Sequence, residues 1–170
     1  MELLDLLDAY SKAQKLSANH IAIMGAFMML LAVLTHFVFK ASDLNQGFKI
    51  GAIVCGLLFL AMGLSYRSYV GKQQQSTISI YETNRGEALE TEKVRMAKTM
   101  AEFPMYLYIF SGMLVAGLLV VLWDKSNFWS GVSLSVVITF SLIIFLEKVS
   151  SHPSMEVYQE GIEHISKFNP

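Results

Sequence analysis

Four stretches of this chain contain no Asp, Glu, Lys or Arg: Ile21–Phe39, Ile50–Tyr66, Met105–Trp123 and Phe128–Leu146. A helix needs about 20 residues, each rising about 1.5 Å, to cross a hydrocarbon layer about 30 Å thick. Each run has that length, with Phe48 and Lys49 extending the second into the interface. Buried helices of a soluble bundle would carry charge on their outer face, whereas these runs are apolar all round. Composition agrees: 54 % of the 170 residues are hydrophobic and 16 % charged, against about 25 % charged in soluble domains. A chain this small cannot bury that much apolar surface inside itself.

The fold class expected is therefore all-α: a polytopic membrane protein of one domain, 1–170, with spans at 21–39, 48–66, 105–123 and 128–146. The acidic, amphipathic start and the length of the first run mark a retained anchor rather than a cleaved signal.

Lys and Arg set the orientation. Lys12, Lys15, Arg67, Lys72, Arg85, Lys93, Arg95, Lys98, Lys148 and Lys167 flank one side; Lys40, Lys49 and Lys125 flank the other. The richer side is expected to be cytoplasmic, holding both termini and the 67–103 segment, with the protein in the plasma (inner) membrane. Trp123, Phe128 and Trp129 mark the outer interface, and Tyr66, Tyr69, Tyr106 and Tyr108 the inner one.

Three cytoplasmic pieces read as helical. Residues 1–19 place Leu3, Leu6, Leu7 and Tyr10 on one face. Segment 67–103 reads as a helical hairpin that breaks at Thr83-Asn84-Arg85-Gly86, with Asn84 and Glu87 at the spacing of a helix start. Pro104 either kinks the returning helix or starts the third span afresh. Glu87, Glu90 and Glu92, followed by Lys93, Arg95 and Lys98, read as a solvated surface. Residues 152–168 form a second amphipathic terminal helix after a break at Ser150–Pro153. Three apolar stripes result, and Leu89, Met96, Met100, Met155, Ile162 and Ile165 are the expected seam. They either cover one another or meet a second copy.

Signals for chemistry are sparse. One cysteine, Cys55, excludes an internal disulfide and a Cys-rich metal site. His20 and His36 flank the first span, and no other in-span histidine completes a haem site. A metal needs three or four ligands, and no helical face supplies them. No catalytic residue, cofactor or metal is expected. The near-balanced charge disfavours nucleic acid. No carboxylate lies at mid-membrane, which disfavours ion-coupled transport. Ser135, Thr139 and Ser141 of the fourth span, with His36, form a possible pore or helix-contact face. Ala22/Ala26, Ala52/Gly56 and Gly112/Ala116 are small-xxx-small patterns for close helix contact. The function expected is a non-catalytic interaction or scaffold subunit, self-associating or bound to another membrane or cytoplasmic protein. The alternative is a channel subunit lined by the Ser/Thr face.

Overall fold

A computed structural model describes residues 2–124 and 127–168, the Phe168 side chain excepted. Lys125, counted above with the poorer basic flank, lies outside the described residues. The regular structure is all helical: α1 Leu3–Val38, α2 Asp43–Thr83, α3 Arg85–Trp123, α4 Phe128–Leu146, and α5 His152–Phe168. A π-helical turn, Glu147–Ser151, joins α4 to α5 without a break. The chain thus has four helices long and apolar enough to cross a membrane, of 36, 41, 39 and 40 residues. At about 1.5 Å per residue each is about 55–60 Å long, nearly twice the hydrocarbon thickness.

The apolar runs and the segments beside them are therefore single helices. The expected break at Ser150–Pro153 does not occur. His152 N–H donates to the Glu147 carbonyl five residues back. That widened turn carries the chain past Pro153, which has no N–H to donate. Pro104 likewise lies inside an uninterrupted α3. A one-residue reversal at Asn84 joins α2 to α3. Its backbone is extended, and its side-chain oxygen accepts from the N–H groups of Gly86 and Glu87 at 3.1 and 3.2 Å. Those are donors that the first turn of α3 would otherwise leave open.

The start of α1, the end of α5 and the Asn84 reversal gather at one end. There Leu3, Leu6, Leu7 and Tyr10 of α1, Ala88, Met96 and Phe103 of α3, and Met155, Tyr158 and Ile162 of α5 form one buried cluster. Leu89, Met100 and Ile165 pack partly buried against it. The Tyr10 and Tyr158 rings stack 4.3 Å apart. Each large side chain buried here is worth about 1.5–3 kcal/mol, so the stripes stabilise a lobe made by the chain alone. Gln14, fully buried, ties the lobe to the spans. It donates to Ser154 Oγ at 2.9 Å and accepts from the Tyr66 hydroxyl at 2.6 Å.

Within the apolar layer α1 packs chiefly on α2, α2 on α4, and α4 on α3. Glycine sets those distances. A Cβ on Gly25 would lie 2.5 Å from the Leu60 nitrogen, and one on Gly63 2.6 Å from the Ala18 carbonyl oxygen. A Cβ on Gly131 would overlap the Leu44 carbonyl and lie 2.7 Å from the Phe48 nitrogen. Gly112 is different: nothing lies within 4 Å of its Cβ position. Gly131→Ala should push α2 and α4 apart and cost about 1–3 kcal/mol. Gly112→Ala should be neutral or stabilise by up to about 1 kcal/mol, the helix-propensity gain. Denaturant titration of the two variants in mixed micelles checks the contrast, and equal effects would refute it.

Candidate functional site

Two polar features adjoin where the apolar layer meets the lobe. The first is an ion pair. Glu92 is 1 % exposed on α3. Arg95, one turn on, donates from Nε to both of its carboxylate oxygens at 3.1–3.2 Å and from Nη2 to one of them. Thr77 Oγ1 of α2 donates to Glu92 at 2.7 Å, and the Tyr158 hydroxyl of α5 donates at 2.9 Å. The guanidinium lies 5.5 Å from the Tyr10 ring centre and 6.0 Å from that of Tyr158. With its amide oxygen turned inward, Gln73 also accepts from Nη1 of Arg95. Burial alone would raise the Glu92 carboxyl. Hydrogen bonds and charge from Arg95, with the Thr77 and Tyr158 hydroxyls, outweigh it and hold the group below the usual carboxylate value.

This corrects the sequence expectation of a solvated charge run. Glu90–Lys93 and Lys98–Glu102 do lie on the surface, at 3.7 and 3.8 Å. Glu92 turns inward because its position shares the buried face of Ala88, Met96 and Phe103. An acid and a base three residues apart look the same in sequence whichever way they face.

The second feature is a cavity of about 550 Å³ that touches all the long helices. Its floor is apolar: Leu7, Ile21, Val70, Phe103, Ile143 and Met155. Tyr66, Gln73, Gln74, Thr99, Arg95, Glu102 and Glu147 supply polar walls. Met62, Ser65 and Tyr69 of α2 and Tyr106 of α3 line it while remaining exposed, so it opens between these two helices. Glu147 is just past the fourth apolar run. Burial raises its carboxyl, partly offset by the Ser151 hydroxyl one turn on. Glu147 is missing from the sequence expectations because an acid one residue past a charge-free run looks the same whether it is buried or hydrated.

The residues singled out from sequence fall in separate places. Ser135 and Thr139 are fully buried, and their hydroxyls donate to the Val132 and Ser135 carbonyls of their own helix at 2.6 and 2.7 Å. They face α2, where a Cβ on Gly51 would meet the Ser135 hydroxyl. Ser141 and His36 are exposed, so the four do not form one face. Of the seam, Met96, Met155 and Ile162 are buried inside the lobe, with Leu89, Met100 and Ile165 at its margin. Cys55 is buried beside Ser135 and Thr139. His20 Nδ1 is buried with no hydrogen-bond partner among the described residues.

Compared with protein-family models, with curated proteins and with solved structures, the chain matches none of them.

The ion pair makes a stability prediction. Arg95→Met leaves the Glu92 carboxylate buried without its cation and should cost about 3–5 kcal/mol at neutral pH. The folded carboxyl lies below its unfolded value, so its contribution is fully present above the ordinary carboxylate pKa of about 4.5. It is lost as pH falls through the lower folded value. Glu92→Gln should therefore flatten the acid limb of the stability–pH curve. Denaturant titrations of the micelle-bound protein from pH 7 to pH 3 check both. An Arg95→Met protein as stable as wild type, or an unchanged acid limb in Glu92→Gln, would contradict the assignment.

Proposed function

We propose that this chain is a non-catalytic integral membrane protein that works as an interaction subunit, with α3 as its membrane-embedded contact helix and a second copy as the partner. The observation that carries the reading is the isolation of α3. Only 6 % of its apolar window is buried, against 33 %, 39 % and 33 % in the other three helices. Met105, Ile109, Gly112, Ala116, Leu119 and Trp123 follow at 4-3-4-3-4 spacing, and all six are exposed. That is the period of a helix-pairing seam, with its two smallest residues at mid-span where backbones approach closest. Small residues in the other spans, including Gly25, Gly56, Gly63 and Gly131, are committed to contacts within the chain.

Lipid alone could cover an apolar face, so exposure is not the reason for the reading. Small residues at the centre of a regular seam are the reason, because they leave a groove that a partner helix fills better than acyl chains do. A two-fold pair of copies presents the same seam from both sides and closes on itself. The seam expected from Leu89, Met96, Met100, Met155, Ile162 and Ile165 is occupied within the lobe, which moves the contact surface into the bilayer. The basic asymmetry supports a cytoplasmic lobe with both termini on that side and the protein in the plasma (inner) membrane.

Two measurements test this. Gly112→Leu and Ala116→Leu should reduce particle mass in lipid nanodiscs from dimer to monomer while each chain keeps its helix content. A wild-type protein that stays monomeric at high concentration in native lipid sinks the reading. In a Cys55→Ala background, a membrane-impermeant thiol reagent should label Asn45→Cys in intact cells and spare Arg85→Cys. Labelling at position 85 would reverse the orientation.

A further inference from the structure

The cavity between α2 and α3 carries a separate inference, which does not depend on self-association. Its position joins two environments. The rim residues Met62 and Tyr106 belong to apolar runs, whereas Tyr69 lies one turn beyond. A molecule can therefore reach the cavity sideways from the bilayer interface. Its size, about 550 Å³, lies in the range of small-molecule sites. It is large enough for a polar headgroup and part of a chain.

The charge of its walls selects the headgroup. Arg95 is the one guanidinium on the wall, and it is already committed: Nε and Nη2 to Glu92, Nη1 to Gln73. With Glu92 bonded to it, the pair is neutral overall, so it holds an anion far less strongly than a lone guanidinium would. Glu102 has Lys98 at 3.8 Å. Glu147 pairs with no Lys, Arg or His among the described residues, and the Ser151 hydroxyl is its neighbour. The wall thus keeps one uncompensated acid. The rings of Tyr66, Tyr69, Tyr106 and Phe110 line the same cavity, and aromatic faces attract cations, most strongly ammonium groups that have lost water. Beyond them Ile21 and Ile143 offer a dry apolar floor.

We propose that the cavity binds an amphipathic cation, its ammonium group held at Glu147 among the tyrosine rings and its apolar body lying along Ile21, Phe110 and Ile143. Two sources share that chemistry: the ammonium headgroup of a membrane lipid and a free amphipathic amine.

The test uses the full chain in dodecyl maltoside, an uncharged detergent, with isotope-labelled dodecyltrimethylammonium as the probe and protein-free micelles as the blank. Saturable binding of about one probe per chain is expected, with dodecanoate, an anion of equal chain length, failing to compete. Glu147→Gln keeps the side chain's shape and should weaken binding by about tenfold, a loss of about 1.4 kcal/mol. Tyr69→Ala, an exposed rim change that leaves the core intact, should weaken it about threefold, the scale of one cation–ring contact. Unfolding midpoints of both variants separate lost binding from lost folding. Competition by short-chain phosphatidylethanolamine assigns the site to a lipid headgroup, and its failure to compete assigns the site to a free amine; both outcomes uphold the proposal. Binding no greater than in empty micelles, equal competition by dodecanoate, or full affinity in a folded Glu147→Gln protein would each overturn it.

Discussion

Hydrocarbon offers no partner to an open N–H or carbonyl, and the shape of this protein follows from that. A helix in the bilayer satisfies its own backbone, while any break leaves groups unpaired at a cost of several kcal/mol each. None of the four long helices breaks where its apolar run ends on the side of the lobe. Each carries its ladder straight into the lobe, and α4 does so through a π-turn rather than a loop. The lobe is therefore the same bundle prolonged past the apolar runs, with α5 continuing the last helix, and not a domain set on top. Gln14 and Tyr66 join the two parts by a buried hydrogen bond at 2.6 Å, so tilting one part against the other would strand two polar groups.

That continuity makes glycine placement matter over a long reach. Gly25 with Gly56, and Gly63 with Ala18 and Ala22, draw α1 onto α2; Gly47, Gly51 and Gly131 draw α2 onto α4. Three helices thus become one close-packed slab. The remaining helix, α3, has Gly117 against Ser133 and Val137 of α4 and rejoins α2 in the lobe, where Thr77 bonds Glu92. Between those two attachments α2 and α3 stand apart, and the cavity occupies the gap. The bare outer seam and the internal cavity have one cause: small residues tie the other helices together and leave α3 at the edge.

The spans were legible because absence of charge over about 20 residues is nearly unambiguous. The Asn84 reversal was legible because a side-chain oxygen before Gly86 and Glu87 has a definite local task. Ser150–Pro153 misled because proline marks a missing donor, and a helix can absorb one missing donor when its neighbours hold it in place; the same ambiguity left Pro104 open between a continuous helix and a fresh start, and α3 runs through it. The apolar seam of Leu89, Met96 and Met100 was visible as periodicity, but periodicity does not say which helix covers a stripe. Only the lobe's packing shows Met96 beside residues of α1 and α5. The fate of Glu92 was hidden for the same reason. Glu92 and Arg95 have the spacing of the surface pair Glu90–Lys93, and a shift of two positions on a helix is the whole difference between a buried pair and a wet one.

Glu92 and Glu147 show how geometry divides the work between two carboxylates at one boundary. Glu92 receives two hydroxyls and a two-pronged guanidinium. Those contacts come from α2, α5 and its own helix, so the group is spent on holding three elements in register. A buried pair of this kind adds little net stability over an apolar replacement, but removing one partner is costly, which ties α2, α3 and α5 to one arrangement. Glu147 stands where the π-turn begins and receives far less. Its surroundings desolvate it without supplying a counter-charge. An acid in that position gains more from an arriving cation than one already paired or fully hydrated, because the cation restores what burial removed. The completed pair fixes the shape of the cavity wall, and the incomplete one gives that wall its affinity.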